Sequence, residues 1–240
     1  NPLEFKPINT ASYFKYHNAN QSIFAVEKIT FHPWSTSLVV GISGNQLSYH
    51  RGDLLAPNGL VTGYNKDLSF SKQFPIVFTP HIALQKSYKN QIFNLSYSEG
   101  YNAPTASTAF VGGSVNAVND NLRPEKAKMW DFSIQGLIAK TKLDYQISLF
   151  NINIENKLTQ IRQGTTTLWT NTGKQRNSGL EVSVGYLHTS SGFLTKIQPF
   201  TSWSYYDFKY QDFKTMFEGK LEDYTNNKIV GVPKNKWALG

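Results

Sequence analysis

At 240 residues with 40% hydrophobic content, the chain is long and apolar enough to fold around a core, which excludes a disordered tail. Its formal charge of +8 is scattered, with no run of five basic residues, so solvated loop charge explains it better than a nucleic-acid interface. Cysteine is absent, which excludes a disulfide framework and a cysteine-built metal site.

No apolar run approaches the roughly 20 residues of a membrane-spanning helix, and helical periodicity is nearly missing. Strands that alternate lipid-facing and lumen-facing residues keep their average hydropathy low, so a barrel stays open. Aromatic residues make up 14% of the chain, and both a soluble core and membrane-interface girdles fit that number.

In chain order, the period-2 pattern predicts strands over 22–32 and 36–50, joined by a tight turn at His32-Pro33-Trp34-Ser35. A long polar segment, 51–73, follows. Strands over 76–87 and 91–101 flank a turn at Tyr88-Lys89-Asn90, with Ile76, Phe78, Ile82 and Leu84 on one parity. After a second long segment, 102–123, strands over 125–138 and 143–155 flank Ala139-Lys140-Thr141-Lys142. A third, 156–172, leads to strands over 174–188 and 194–208 around Thr189-Ser190-Ser191-Gly192, and a fourth, 209–232, to a last strand from about Lys234.

Two strands break the pattern. The 22–32 segment is apolar on both parities, and in 143–155 the apolar set changes parity between Leu149 and Phe150, as a β-bulge would produce. Short and long connections alternate strictly. Compact soluble domains rarely carry four long loops, whereas transmembrane barrels have short periplasmic turns and long outer loops. An open sheet cannot stand in lipid, so the expected fold is all-β, an antiparallel transmembrane barrel of which this chain supplies about nine strands.

Three segments then resemble the barrel of TonB-dependent outer-membrane receptors. Ser98-Glu99-Gly100-Tyr101-Asn102-Ala103-Pro104-Thr105 is similar to the family's Ser-x-Gly-aromatic-x-Ala-Pro-Thr pattern. Asn121-Leu122-Arg123-Pro124-Glu125 resembles its Asn-Leu-x-Pro-Glu, and Asn171-Thr172-Gly173 with Gly179-Leu180-Glu181 its Asn-x-Gly and Gly-x-Glu. Each motif alone is weak; in this order they are specific, and they cover residues from about Ser22 to Gly240. Their residue types point to structural work: Pro124 opens a strand, Gly100 and Gly173 suit sharp changes of direction, and Glu181 points into the lumen.

The resemblance implies a barrel of roughly 22 strands with a plugged lumen. Residues 1–240 are expected to be part of that single barrel domain, with the plug domain and final strands outside them. It further implies an outer-membrane location in a Gram-negative bacterium, lipid around the wall, and the TonB complex acting through the missing N-terminal region. The expected ligand is a small molecule, a ferric siderophore first, with cobalamin, haem or a glycan as alternatives; no cofactor and no nucleic acid are expected. Ligand contacts are expected from Arg51, Tyr64, Tyr101, Arg162, Trp169 and Arg176, because Arg forks suit carboxylates or catecholates and flat rings suit rings.

Two rivals differ in kind. A barrel enzyme is disfavoured because His17, His32, His50, His81 and His188 form no metalloprotease pair. Gly41-Ile42-Ser43-Gly44 is no nucleophile elbow, and His81 and His188 are expected near short turns, away from the vestibule. A soluble β-sandwich binding module would fold alone in water.

Overall fold

The computed structural model describes residues 14–54, 67, 69–105, 108, 121–163, 166–171, 173–189, 195–217 and 220–240. Two hairpins open the fold: β1 (Phe14–Phe31) with β2 (Thr36–Asp53), then, after β3 (Phe70–Gln73), β4 (Val77–Tyr88) with β5 (Gln91–Asn102). Next come β6 (Glu125–Ile138) and β7 (Leu143–Glu155), then a short pair, β8 (Leu158–Gln163) and β9 (Thr166–Asn171). β10 (Lys174–Tyr186) leads through β11 (His188–Thr189) and β12 (Lys196–Ile197) to β13 (Phe200–Asp212). β14 (Lys214–Phe217), β15 (Lys220–Asp223) and β16 (Asn235–Leu239) finish the chain. The single helical element among the described residues is a three-residue 3-10 turn, His32–Trp34.

Ten strands make one antiparallel sheet among the described residues, nine of them a wall in the order β1-β2-β4-β5-β6-β7-β10-β13-β16, with β3 paired to the end of β2. Consecutive strands pair because the short turns are tight: Ser35 (φ 47), Lys89 (φ 51) and Lys142 (φ 54) each take a left-handed backbone that reverses the chain in a few residues. Among the described residues both edges of the wall lack a partner strand, and unpaired edge groups cannot stand in hydrocarbon, so the wall is a portion of a closed barrel.

The register turns the alternation into two surfaces. One row reads Ile29, Leu38, Leu84, Leu95, Phe132, Leu149, Leu180 and Tyr205 across eight strands. An adjacent row on the opposite face reads Ser37, Gln85, Asn94, Ser133, Ser148, Glu181, Ser204 and Lys236. The greasy face is uncovered: Leu84, Leu95 and Leu149 are 43%, 44% and 49% exposed. Such a surface is unfavourable in water and stable against lipid.

The apolar belt crosses the ladder obliquely. Ile82 on β4 shares a row with Tyr97, Trp130, Asn151, Ser178 and finally Asp207 on β13, so the belt lies lower on the later strands. Strands tilted to the membrane normal require this offset.

The fold corrects several expectations. β1 starts at Phe14 rather than 22, because β2 continues to Asp53 and offers it a partner throughout. β13 starts at Phe200 rather than 194; the intervening residues pair His188 with Ile197 and Thr189 with Lys196 instead, and the expected turn tip, Ser190–Gly192, lies outside the described residues. Three of the long segments, 51–73, 156–172 and 209–232, hold β3, the β8–β9 hairpin and the β14–β15 hairpin respectively. No bulge occurs at Leu149/Phe150: β7 pairs without interruption with both neighbours from Leu143 to Glu155. Interruptions lie elsewhere: β13 slips by one residue against Lys174/Gln175, and β2 pairs with Val77 opposite Asn45 but with Gln73 opposite Ser48, leaving Phe74-Pro75-Ile76 against two residues. Pro75 has no N–H to give a ladder and sits where none is needed.

Candidate functional site

At the end of the wall that carries the long connections, buried side chains gather. The hydrophobic residues buried among those described are Tyr49, Phe74, Val77, Leu122 and Leu158, all close to strand ends rather than mid-wall. Tyr49 meets Phe74 and Phe70 at ring-centroid distances of 5.8 and 5.9 Å. The only conventional core in the described chain therefore anchors loops.

The sequence motifs meet at this anchor. Glu125, 7% exposed, accepts from the Leu158 amide at 2.6 Å and from Asn102 Nδ2 at 2.9 Å, and pairs with Lys157 Nζ at 3.0 Å. One carboxylate thus ties β5, β6 and the start of β8. Asn171 clasps the Arg123 backbone, accepting from its N–H at 2.8 Å and donating to its carbonyl at 2.9 Å, and also donates to the Asn156 carbonyl at 2.7 Å. Lys72 Nζ donates to the Leu122 carbonyl at 3.2 Å. Gly173 has φ 38, and a Cβ there would fall 1.6 Å from the Asp212 carbonyl oxygen, so only glycine fits. Gly100 needs no such freedom: it continues the β5–β6 ladder opposite Ala127 with open space where a Cβ would stand, contrary to the expected change of direction. Beside the clamp, Lys72, Phe74, Ile76, Leu122, Arg123 and Asn156 line a cleft of about 690 Å³.

The six candidate ligand residues do not converge on one point. Arg51, 1% exposed, lays its guanidinium 4.3 Å from the centroid of the Phe14 ring. Tyr101 donates to Asn20 Oδ1 at 3.2 Å, joining β5 to β1 across two strands. Trp169 stands on β9 opposite Gln160 in the loop hairpin. Arg162 is opposite Thr167 in the same hairpin, its side chain outside the described residues, as is all of Tyr64. Arg176 stands on β10 with the parity of Leu180 and Val182, that is, on the belt face. In the β14–β15 hairpin, hydrogen bonds from Thr225 and the nearby Lys214 ammonium hold the Asp223 carboxyl below the usual carboxylate range.

Sequence reasoning missed one feature of the lumen face. Phe150 lies 6.3 Å from both Tyr206 and Phe208, and these two rings lie 5.3 Å apart. Gly179 opposite makes the room, since its Cβ would come within 2.5 Å of the Phe150 ring. Tyr206 donates to Glu181 Oε1 at 2.9 Å, so the motif glutamate faces the lumen as expected. The parity change at Leu149/Phe150 was the visible signal of this aromatic ledge. His81 is mid-wall, opposite Gly41 and Ser98, rather than near a short turn. Among the described residues no three His, Asp or Glu side chains gather as a metal site.

An antiparallel wall, apolar outside and polar inside, with short turns at one end and clamped loops at the other, defines a piece of a large outer-membrane-type β-barrel. The family model "TonB dependent receptor-like, beta-barrel" matches residues 2–240, and the chain belongs to that family. No curated protein matches it in sequence. The siderophore receptor PiuA from Acinetobacter baumannii is similar in structure, with TM-score 0.68 and 16% identity over 94% of this chain and 31% of that one. The copper transporter OprC matches with TM-score 0.59 and 15% identity over 81% of this chain and 28% of that one. The FrpB iron transporter from Neisseria meningitidis matches with TM-score 0.59 and 11% identity over 92% and 29%. The chain spans less than a third of the length of these three proteins.

Proposed function

We propose that this chain is the wall and loop portion of an outer-membrane receptor that takes up a scarce nutrient, a ferric siderophore in the first instance, by TonB-driven transport in a Gram-negative bacterium. The observation that carries the reading is the two-faced wall. Lipid packs against the row from Ile29 to Tyr205, and a plug domain of the same full-length protein packs against the polar row from Ser37 to Lys236. Loop-side groups capture the ligand: Trp169, Arg162, Tyr64 and Tyr101 by contact, and Arg51 by holding the base of its loop. Basic forks and flat rings suit an iron chelate bearing carboxylates or catecholates. Cobalamin, haem or a glycan, taken up by the same mechanism, is the second reading.

The test is growth of a strain deleted for the full-length gene, supplied with one iron source at a time, with and without a working TonB complex. The proposal expects growth on at least one ferric chelate to require both. If growth on every iron source is unaffected while uptake of cobalamin, haem or a glycan fails, the siderophore assignment is wrong and the transport assignment stands.

A further inference from the structure

Just beyond the belt on its loop side, cations crowd around one carboxylate. Asp207 is the outward residue of β13 that follows Tyr205, about 7 Å further along the strand at two residues' rise. Lys209 Nζ holds its Oδ2 at 2.9 Å, and Arg176 Nη2 reaches the same oxygen only at 3.8 Å. Lys228 is bridged to Lys209 through the backbone. Lys234 places its ammonium 5.5 Å from the Tyr205 ring. Two of these four cations therefore pair with one acid, and the other two stand beside it without an acid of their own in that contact. Arg176 Nε, in addition, is buried with no hydrogen-bond partner.

Directly below, an open groove of about 490 Å³ runs over the belt face between Trp130 and Tyr205, floored by Leu95, Phe132, Leu149 and Leu180. A free inorganic anion would use the cations and leave this groove empty. A hydrocarbon chain would fill the groove and leave the cations unmatched. One amphiphile answers both.

We infer that Arg176, Lys209, Lys228 and Lys234 form a seat for the phosphate of an outer-leaflet lipid, a phosphorylated glycolipid, whose acyl chain lies in the groove from Trp130 to Tyr205. Arg176 supplies the donors that Asp207 leaves unused, and the lysines supply charge at the height where headgroups begin. Asp207 keeps Arg176 and Lys209 together when no lipid is bound. This assignment rests on the membrane-barrel reading above.

The test uses the full-length receptor purified in detergent and exposed to diphosphorylated lipid A, with retained lipid counted by native mass spectrometry. Each exposed cation near an anionic headgroup is worth about fivefold in affinity. Arg176→Gln with Lys209→Gln should therefore weaken retention about 25-fold, while Lys126→Gln with Lys174→Gln, further up the same face, should leave it within about twofold. Dephosphorylated lipid A should bind no better to the wild type than to the double variant, and inorganic phosphate should not displace the lipid. Equal retention by both double variants, displacement by phosphate alone, or no retention by a folded, heat-modifiable barrel each overturns the seat while leaving the barrel intact. A full-length protein that folds in water without detergent overturns both.

Discussion

Neighbouring residues on β7 offer the sharpest check of the two-faced wall. Ile147 and Gln146 are adjacent in sequence, yet Ile147 lies between Ile134 and Val182 on the belt, and Gln146 between Gln135 and Ser183 on the lumen face. Ile147 is near the middle of the outward set Leu143, Tyr145, Ile147 and Leu149, which puts it close to the bilayer midplane. Arginine on the lipid face at that depth costs about 2–4 kcal/mol. At about 1.4 kcal/mol per tenfold, Ile147→Arg should lower the folding equilibrium roughly thirty- to a thousandfold. Gln146→Arg gains a wet channel for its head and should stay within about 0.5 kcal/mol of the wild type. Urea-titrated folding of the full-length protein into phosphocholine vesicles, followed by heat-modifiable gel mobility, measures both. Equal costs at the two positions, or a harmless Ile147→Arg, would refute the assignment of faces.

Three further outcomes follow from the loop anchor and the lumen face. Glu125→Ala strands the Leu158 amide and the Asn102 side chain, so it should cost about 2–3 kcal/mol and speed amide exchange at Leu158, while Glu125→Gln, which still accepts, should recover part of it. Gly179→Ala drives a methyl into the Phe150 ring and should cost about 1–3 kcal/mol; adding Phe150→Ala should give a total smaller than the sum, and strict additivity would argue against the ledge. Asp223 titrates lower in the folded hairpin than in the unfolded chain, so its contribution is present above about pH 4 and is lost as pH falls through its depressed value. Carboxyl chemical shifts across an acid titration should show this, and Thr225→Ala should move the midpoint back up.

Alternation, turn chemistry and connection lengths are local properties, and they were enough to place the wall. The period-2 pattern located β2, β5, β6 and β7 nearly to the residue, because a strand with lipid on one side and water on the other must alternate. The motifs around Pro104, Pro124 and Gly173 marked the loop bases, though their shared purpose appears only when Glu125 and Asn171 are seen bonding across strands more than a dozen residues apart. What the sequence left open depended on neighbours it does not name. Phe150 is apolar on the wrong parity for a bulge-free strand, and only the glycine opposite it and the rings of Tyr206 and Phe208 make it a lumen residue. Arg176 reads as a loop-side ligand group, and the ladder turns it outward beside Asp207. A strand fixes which residues share a face; register against its partners fixes which face that is, and what each side chain meets there.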